Sequence, residues 1–193
     1  MNRCRRRGTV QAAPKEEYMM RPYPAVAVLL ALSGCAMKPL NSIPLTGTYD
    51  PTNPFAKMIR GELKPVKVYE TDHVLAFLDH APATVGHVLV ISKVSHARTL
   101  LEMNAHDYDE VMGVVRKVAL AEVKALNLKG FTIIENNGLG QSVPHLHVHI
   151  IPRYGKIRLR EIPNKIMPDA ELEVTAVKIR AALAEMDAHP EAQ

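Results

Sequence analysis

The sequence predicts an α+β fold: a five-stranded antiparallel sheet with a long helix and short N- and C-terminal helices. Three observations predict it. Apolar strand-length runs are separated by short turns, a single long stretch of helical period lies between the third and fourth runs, and a second amphipathic stretch closes the chain. In chain order, Phe55, Met58 and Ile59 fall at helical spacing and Gly61 closes that short segment. Val66 to Glu70 and Val74 to Leu78 are β-rich and are parted by Thr71-Asp72-His73, which reads as a hairpin. A third strand, His87 to Ile91, follows the Ala81-Pro82-Ala83 turn and Gly86. Asn104 and Asp107 form an N-cap pair for a helix whose Val111, Val114, Val115, Val118 and Ala121 share one face, and Asn127 and Gly130 end it. Phe131 to Glu135 is a fourth strand, Asn136 to Gly140 a turn rich in residues that accept positive φ, and His145 to Ile151 a fifth strand. The last helix runs from a capping Asp169 to about Met186, with Leu172, Val177, Ile179, Ala182 and Leu183 on its apolar side.

Composition excludes several classes. The chain has 193 residues, and 47% hydrophobic content with only 10 Gly is incompatible with a disordered or collagen-like chain. Cys4 and Cys35 are too few, and too close to the start, to staple the domain. The formal charge of +4 suggests nucleic acid until it is located. Residues 1 to 34 hold six basic and two acidic residues, so they carry the whole excess and the remainder is formally neutral. No nucleic-acid partner is expected.

That first segment reads as a signal. Met19-Met20-Arg21 precedes the apolar stretch Ala25 to Leu32 and then Leu32-Ser33-Gly34-Cys35. Eight apolar residues fall well short of the about 20 that span a bilayer, but they suit a signal-peptide core. The pattern resembles a bacterial lipobox, which would make Cys35 a lipidation site and place the protein on the cell envelope. The alternative is a cytoplasmic protein starting at Met37. The organisation expected is a signal-like segment at 1–34, a linker at 35–50, the folded domain at 51–160 and an extension with one helix at 161–193.

The informative stretch is the fifth strand. Side chains alternate faces at about 3.3 Å per residue, so His145, His147 and His149 share one face and Leu146, Val148 and Ile150 the other. A metal centre is the weaker reading. Zinc bonds of about 2.0–2.1 Å need converging ligands, and about 13 Å of strand separates the outer pair. No Asp, Glu or Cys lies between Gly138 and Arg160. Phosphoryl chemistry fits better: an imidazole attacks phosphorus, and neighbouring neutral donors offset the developing charge. Gly138, Gly140, Gln141 and Ser142 supply such donors, with Arg153 nearby in sequence.

His145-Leu146-His147-Val148-His149-Ile150-Ile151 resembles the histidine triad (HIT) motif, His-φ-His-φ-His-φ-φ. The resemblance extends from about Tyr49 to Arg153 through Phe55-Ala56-Lys57-Met58-Ile59-Arg60-Gly61-Glu62, Val68-Tyr69-Glu70, Ala76-Phe77-Leu78-Asp79, Gly86-His87-Val88-Leu89-Val90-Ile91, Asn136 and Gly140-Gln141-Ser142. It implies a hydrolase that cleaves at the α-phosphorus of nucleoside phosphoramidates or dinucleoside polyphosphates through a nucleotidyl-histidine intermediate. By position His147 is the nucleophile, His149 assists the leaving group and His145 supports the row. The resemblance assigns phosphate and leaving-group contacts to Asn136, Gly140, Gln141 and Ser142. It assigns the ribose hydroxyls to Asp79, and the base to Phe55, Met58, Phe77 and Leu89. It also implies a homodimer joined edge to edge. Many bacterial relatives carry Cys-x-x-Cys where this chain has Asn53-Pro54-Phe55-Ala56, so no zinc and no other cofactor is expected. A histidine at the third position favours hydrolysis over nucleotidyl transfer. The rival expectation is a non-catalytic nucleotide-binding module at the envelope.

Overall fold

The computed structural model describes residues 43–155 and 166–190; the signal-like segment, Cys35 and Met37 lie outside the described residues. Among the described residues five strands and three α-helices follow one another as α1 (Pro54–Ile59), β1 (Lys67–Glu70), β2 (Val74–Leu78), β3 (Val88–Ser92), α2 (Ala105–Leu126), β4 (Gly130–Glu135), β5 (His147–Arg153) and α3 (Asp169–Ala188), with one 3-10 turn at Leu100–Glu102 before α2. Every neighbouring pair is antiparallel, in the spatial order β1-β2-β3-β5-β4. The long α2 carries the chain from β3 across a sheet face to β4, so β5 returns into the gap beside β3 and becomes a central strand.

The register divides the side chains between two faces. Val148 pairs with Val90, and Val90 with Ala76. This row packs with Val111, Val115 and Val118 of α2 and Leu172, Ala176 and Ile179 of α3 in the larger core. On the opposite face His147 pairs with Ile91 and Ile91 with Leu75, while His149 pairs with Leu89 and Leu89 with Phe77. The helices thus cover one face, and α1 closes part of the other through Phe55. Complete burial of every residue of β2 and β3 follows from this double cover.

Local chemistry accounts for both ends of α2. The Asn104 side chain accepts the Asp107 N–H and opens α2, and Asn127 ends it in the left-handed region at φ +50. Three sequence expectations need correction. Pro168 precedes α3 and Asp169 sits inside its first turn, its carboxylate 2.9 Å from His80 Nε2 instead of capping the helix. Val177 is 53% exposed because the buried stripe runs through Thr175, Ala176 and Ile179, about 200° from it at 100° per residue. At 20 residues α3 is also nearly as long as the 22-residue α2.

Candidate active site

β5 begins at His147, not at His145. His145 therefore stands just before the ladder and is held by other bonds: Nε2 lies 3.0 Å from the Ser92 carbonyl, and Nδ1 lies 2.6 Å from the Tyr49 hydroxyl. A carbonyl can only accept, so Nε2 carries the proton and Nδ1 takes the Tyr49 O–H. Burial pushes the His145 pKa down to about 4, with smaller contributions from His147 and His96.

The same reasoning assigns His147. Its Nδ1 donates to the His145 carbonyl at 2.7 Å, so the neutral ring keeps its lone pair on Nε2. Burial lowers its pKa; the bond to the His145 carbonyl and the charge of Asp79 act the other way. The outcome is a neutral imidazole with one oriented lone pair, the form a nucleophile requires.

His149 belongs to a second chain of bonds. His87 Nδ1 accepts the Ala83 N–H at 3.2 Å and has Asp79 Oδ2 at 3.3 Å, while His87 Nε2 lies 2.9 Å from His149 Nδ1. Because Nδ1 accepts the Ala83 N–H, the neutral His87 ring carries its proton on Nε2 and donates it to His149 Nδ1. His149 Nδ1 thus accepts, and the neutral ring's proton sits on Nε2, a buried atom without a hydrogen-bond partner among the described residues. Burial and the neighbouring rings of His147 and His87 push the His149 pKa down to about 3. The His147 and His149 ring centroids are 4.9 Å apart, which sets a lone pair on one ring beside an unspent N–H on the other.

The remaining sequence-derived residues fall into two groups. Phe55, Phe77 and Leu89 form the smaller apolar cluster, with Met58 half-buried against it. The Phe55 ring meets Phe77 edge-on and lies 5.1 Å from the His147 ring. Phe77 is 1% exposed, so it backs this cluster and does not line an opening. In the turn after β4, Gly138 and Gly140 both have positive φ, and Asn136 Oδ1 is the atom nearest the point where a Gly140 Cβ would stand. Ser142 is exposed. Gln141 differs from the role the resemblance assigned. Its Oε1 accepts the Gly138 N–H at 3.0 Å and its Nε2 donates to the Arg98 carbonyl at 2.5 Å, and the side chain is buried. Its amide is a strut that shapes the turn, not a free phosphate contact.

Two metal arrangements can be weighed. Asn53 and Ala56 stand where relatives have paired cysteines. Asn53 Oδ1 accepts the Ala56 N–H to cap α1, its Nδ2 donates to the Asp50 carbonyl, and Ala56 offers only a methyl group. These residues do not fit a thiolate-held metal. Asp79, His87 and His149 bring ligand atoms within 4.8 Å of one another, but the facing nitrogens of the two histidines are already joined by a hydrogen bond.

In the sequence His87 carries no assigned role and is marked only by a Gly-His pair at the start of a strand, and Tyr49 falls within the linker at 35–50, where the resemblance begins without a role for its hydroxyl.

The fold agrees with the comparisons. The HIT domain family model matches residues 60–156. Protein hit of Bacillus subtilis is 44% identical over 104 residues, covering 53% of this chain and 71% of that protein. An adenosine 5'-monophosphoramidase of Schizosaccharomyces pombe is 39% identical over 101 residues, 51% of this chain and 72% of that protein. A crystal structure of a Hit-like protein from Bartonella henselae superimposes with a TM-score of 0.66 at 45% identity, over 70% of this chain and 99% of that one. The chain belongs to the HIT domain family.

Proposed function

We propose that the protein is a nucleotide hydrolase acting at the α-phosphorus of nucleoside phosphoramidates, with dinucleoside polyphosphates as the neighbouring substrate class. The observation that carries this reading is the 2.7 Å bond from His147 Nδ1 to the His145 carbonyl, which leaves the lone pair of the neutral ring on Nε2. Similarity to the Schizosaccharomyces pombe monophosphoramidase supports phosphoramidates as the first substrates to try.

The chemistry runs as a double displacement. A phosphate anion entering this buried row favours a charged ring beside it, so the His87–His149 pair takes up one proton as substrate binds: it enters at His87 Nδ1, beside Asp79, and the His87 Nε2 proton passes to His149 Nδ1, leaving the His149 Nε2–H to be given away. His147 Nε2 attacks phosphorus, the bond from phosphorus to the leaving nitrogen breaks, and that nitrogen departs with the proton from His149 Nε2. Water then attacks the nucleotidyl-histidine, its proton returns to His149, the P–Nε2 bond breaks and a nucleoside monophosphate leaves. Asp79 serves the ribose in this reading, and Asn136, Ser142 and the backbone of the glycine turn meet the phosphate oxygens. Replacing His147 by Ala is expected to abolish hydrolysis of adenosine 5'-phosphoramidate while nucleotide binding persists. Hydrolysis at the wild-type rate by that variant would refute the nucleophile.

The proposal includes a homodimer. β4 is an edge strand, Phe131 and Ile133 on it are exposed, and with Met112, Val115, Ala119 and Leu120 they line an apolar groove of about 380 Å³. A second copy laid along this edge would extend the sheet and cover the groove. It also includes attachment to the cell envelope through a lipid on Cys35, supported by the order of basic, apolar, small and Cys residues. None of the helices among the described residues is long and apolar enough to cross a membrane.

A further inference from the structure

Residues 43–49 have the composition of a tether, yet four bonds strap them to the loops around the histidines. Ile43 N donates to the Gly138 carbonyl, Thr99 Oγ1 to the Leu45 carbonyl at 2.7 Å, Gly47 N to Glu102 Oε1 at 2.9 Å, and the Tyr49 hydroxyl to His145 Nδ1 at 2.6 Å. The strap also needs glycine beneath it: a Cβ on Gly138, already at φ +75, would stand 3.0 Å from both the Ile43 oxygen and the Leu45 side chain. Glu102 in turn pairs with Arg98, whose carbonyl holds Gln141. Strap, the loop at 97–102 and the glycine turn are one bonded unit.

Tyr49 is the member of this unit that reaches the histidine row. Its ring stacks on His96 at 4.7 Å and 17°, and the Asn53 amide lies beside its hydroxyl. His145 needs such a partner because it precedes the first paired residue of β5, so the sheet ladder does not hold it. Its ring is fixed by Ser92 on one nitrogen and Tyr49 on the other, and its carbonyl orients His147.

We propose that Tyr49 is a positioning residue for the nucleophile: with the Ser92 carbonyl setting the His145 tautomer, the Tyr49 hydroxyl holds the orientation of that ring, and the His145 carbonyl in turn locks His147. Tyr49 precedes the family match at residues 60–156, so the working site extends into a segment outside that match. The activity arm of the test rests on the hydrolase reading above; the spectroscopic arm does not.

Nitrogen-15 chemical shifts of the imidazoles in the full-length protein are expected to show His145 as the Nε2–H tautomer and His147 as the Nδ1–H tautomer. His145 carrying its proton on Nδ1 would overturn the proposal without any variant. Tyr49→Phe keeps the ring stack and removes only the donor. It is expected to shift the His145 Nδ1 resonance toward that of a lone pair without a donor, while the Ser92 carbonyl keeps the Nε2–H tautomer, and to lower kcat on adenosine 5'-phosphoramidate about tenfold, the size of one hydrogen bond to a buried group, with KM little changed. Unmoved His145 shifts, or an unchanged kcat in an active enzyme, would overturn it. If the wild-type protein turned over no nucleotide, the hydrolase reading would fall, and the ring shifts would still decide whether Tyr49 holds His145.

Discussion

Glu122 offers a prediction whose size follows from its surroundings. It lies on α2 at 0% exposure, and neither carboxyl oxygen has a hydrogen-bond partner among the described residues. Burial pushes its pKa up to about 9 from an ordinary 4.5. The folded protein therefore keeps a proton that the unfolded chain releases above pH 4.5, so stability falls as pH rises from 4.5 to about 9 and then levels. At about 1.4 kcal/mol per pH unit, the loss between pH 4.5 and pH 7 is about 3 kcal/mol. Glu122→Gln removes the titration while keeping the shape. With a urea m-value of about 2 kcal/mol/M, the wild-type midpoint should drop relative to the variant by about 1.5 M across that interval. Urea unfolding at pH 4.5, 7 and 8.5 measures it. Parallel pH profiles for the two proteins would refute the argument and mean that the carboxylate finds a charge partner or water.

Three further outcomes follow from the site and its edges. His87→Phe removes the donor to His149 Nδ1, so kcat should fall about 10- to 100-fold for amine leaving groups, which need a proton, and much less for a nitrophenolate, which does not; equal losses for both would detach His87 from proton delivery. Ile133→Lys should convert a dimer to a monomer by light scattering, and a dimer that survives it would remove β4 from the interface. Mass spectrometry of the native N-terminus should find a diacylated Cys35, whereas an unmodified start at Met37 would return the protein to the cytoplasm.

Much of the fold could be read from local pattern. Alternation along β5 placed His147 and His149 opposite Val148 and Ile150, and the valine spacing of α2 marked its buried side, because both depend only on the period of one element. What escaped depends on register between elements. His87 becomes the partner of His149 only when β3 and β5 are aligned, and Tyr49 reaches His145 across 96 residues of chain. His145 kept its place in the row but lost its strand, because the ladder opens two residues later. Gln141 is a donor by residue type, and only the path of the Arg98 backbone commits its amide elsewhere. Glu122 did carry a local signal, a carboxylate one residue beyond Ala121 on the apolar side of α2, though not its lack of partners.

Covalent trapping tests the central claim most directly. Full-length protein mixed with adenosine 5'-phosphoramidate, quenched in base to preserve a phosphorus–nitrogen bond and mapped by peptide mass, is expected to carry an adenylyl group on His147 and none in the His147→Ala variant. Turnover with no adduct, or with the adduct on another residue, would contradict the assignment of His147 Nε2 as the nucleophile.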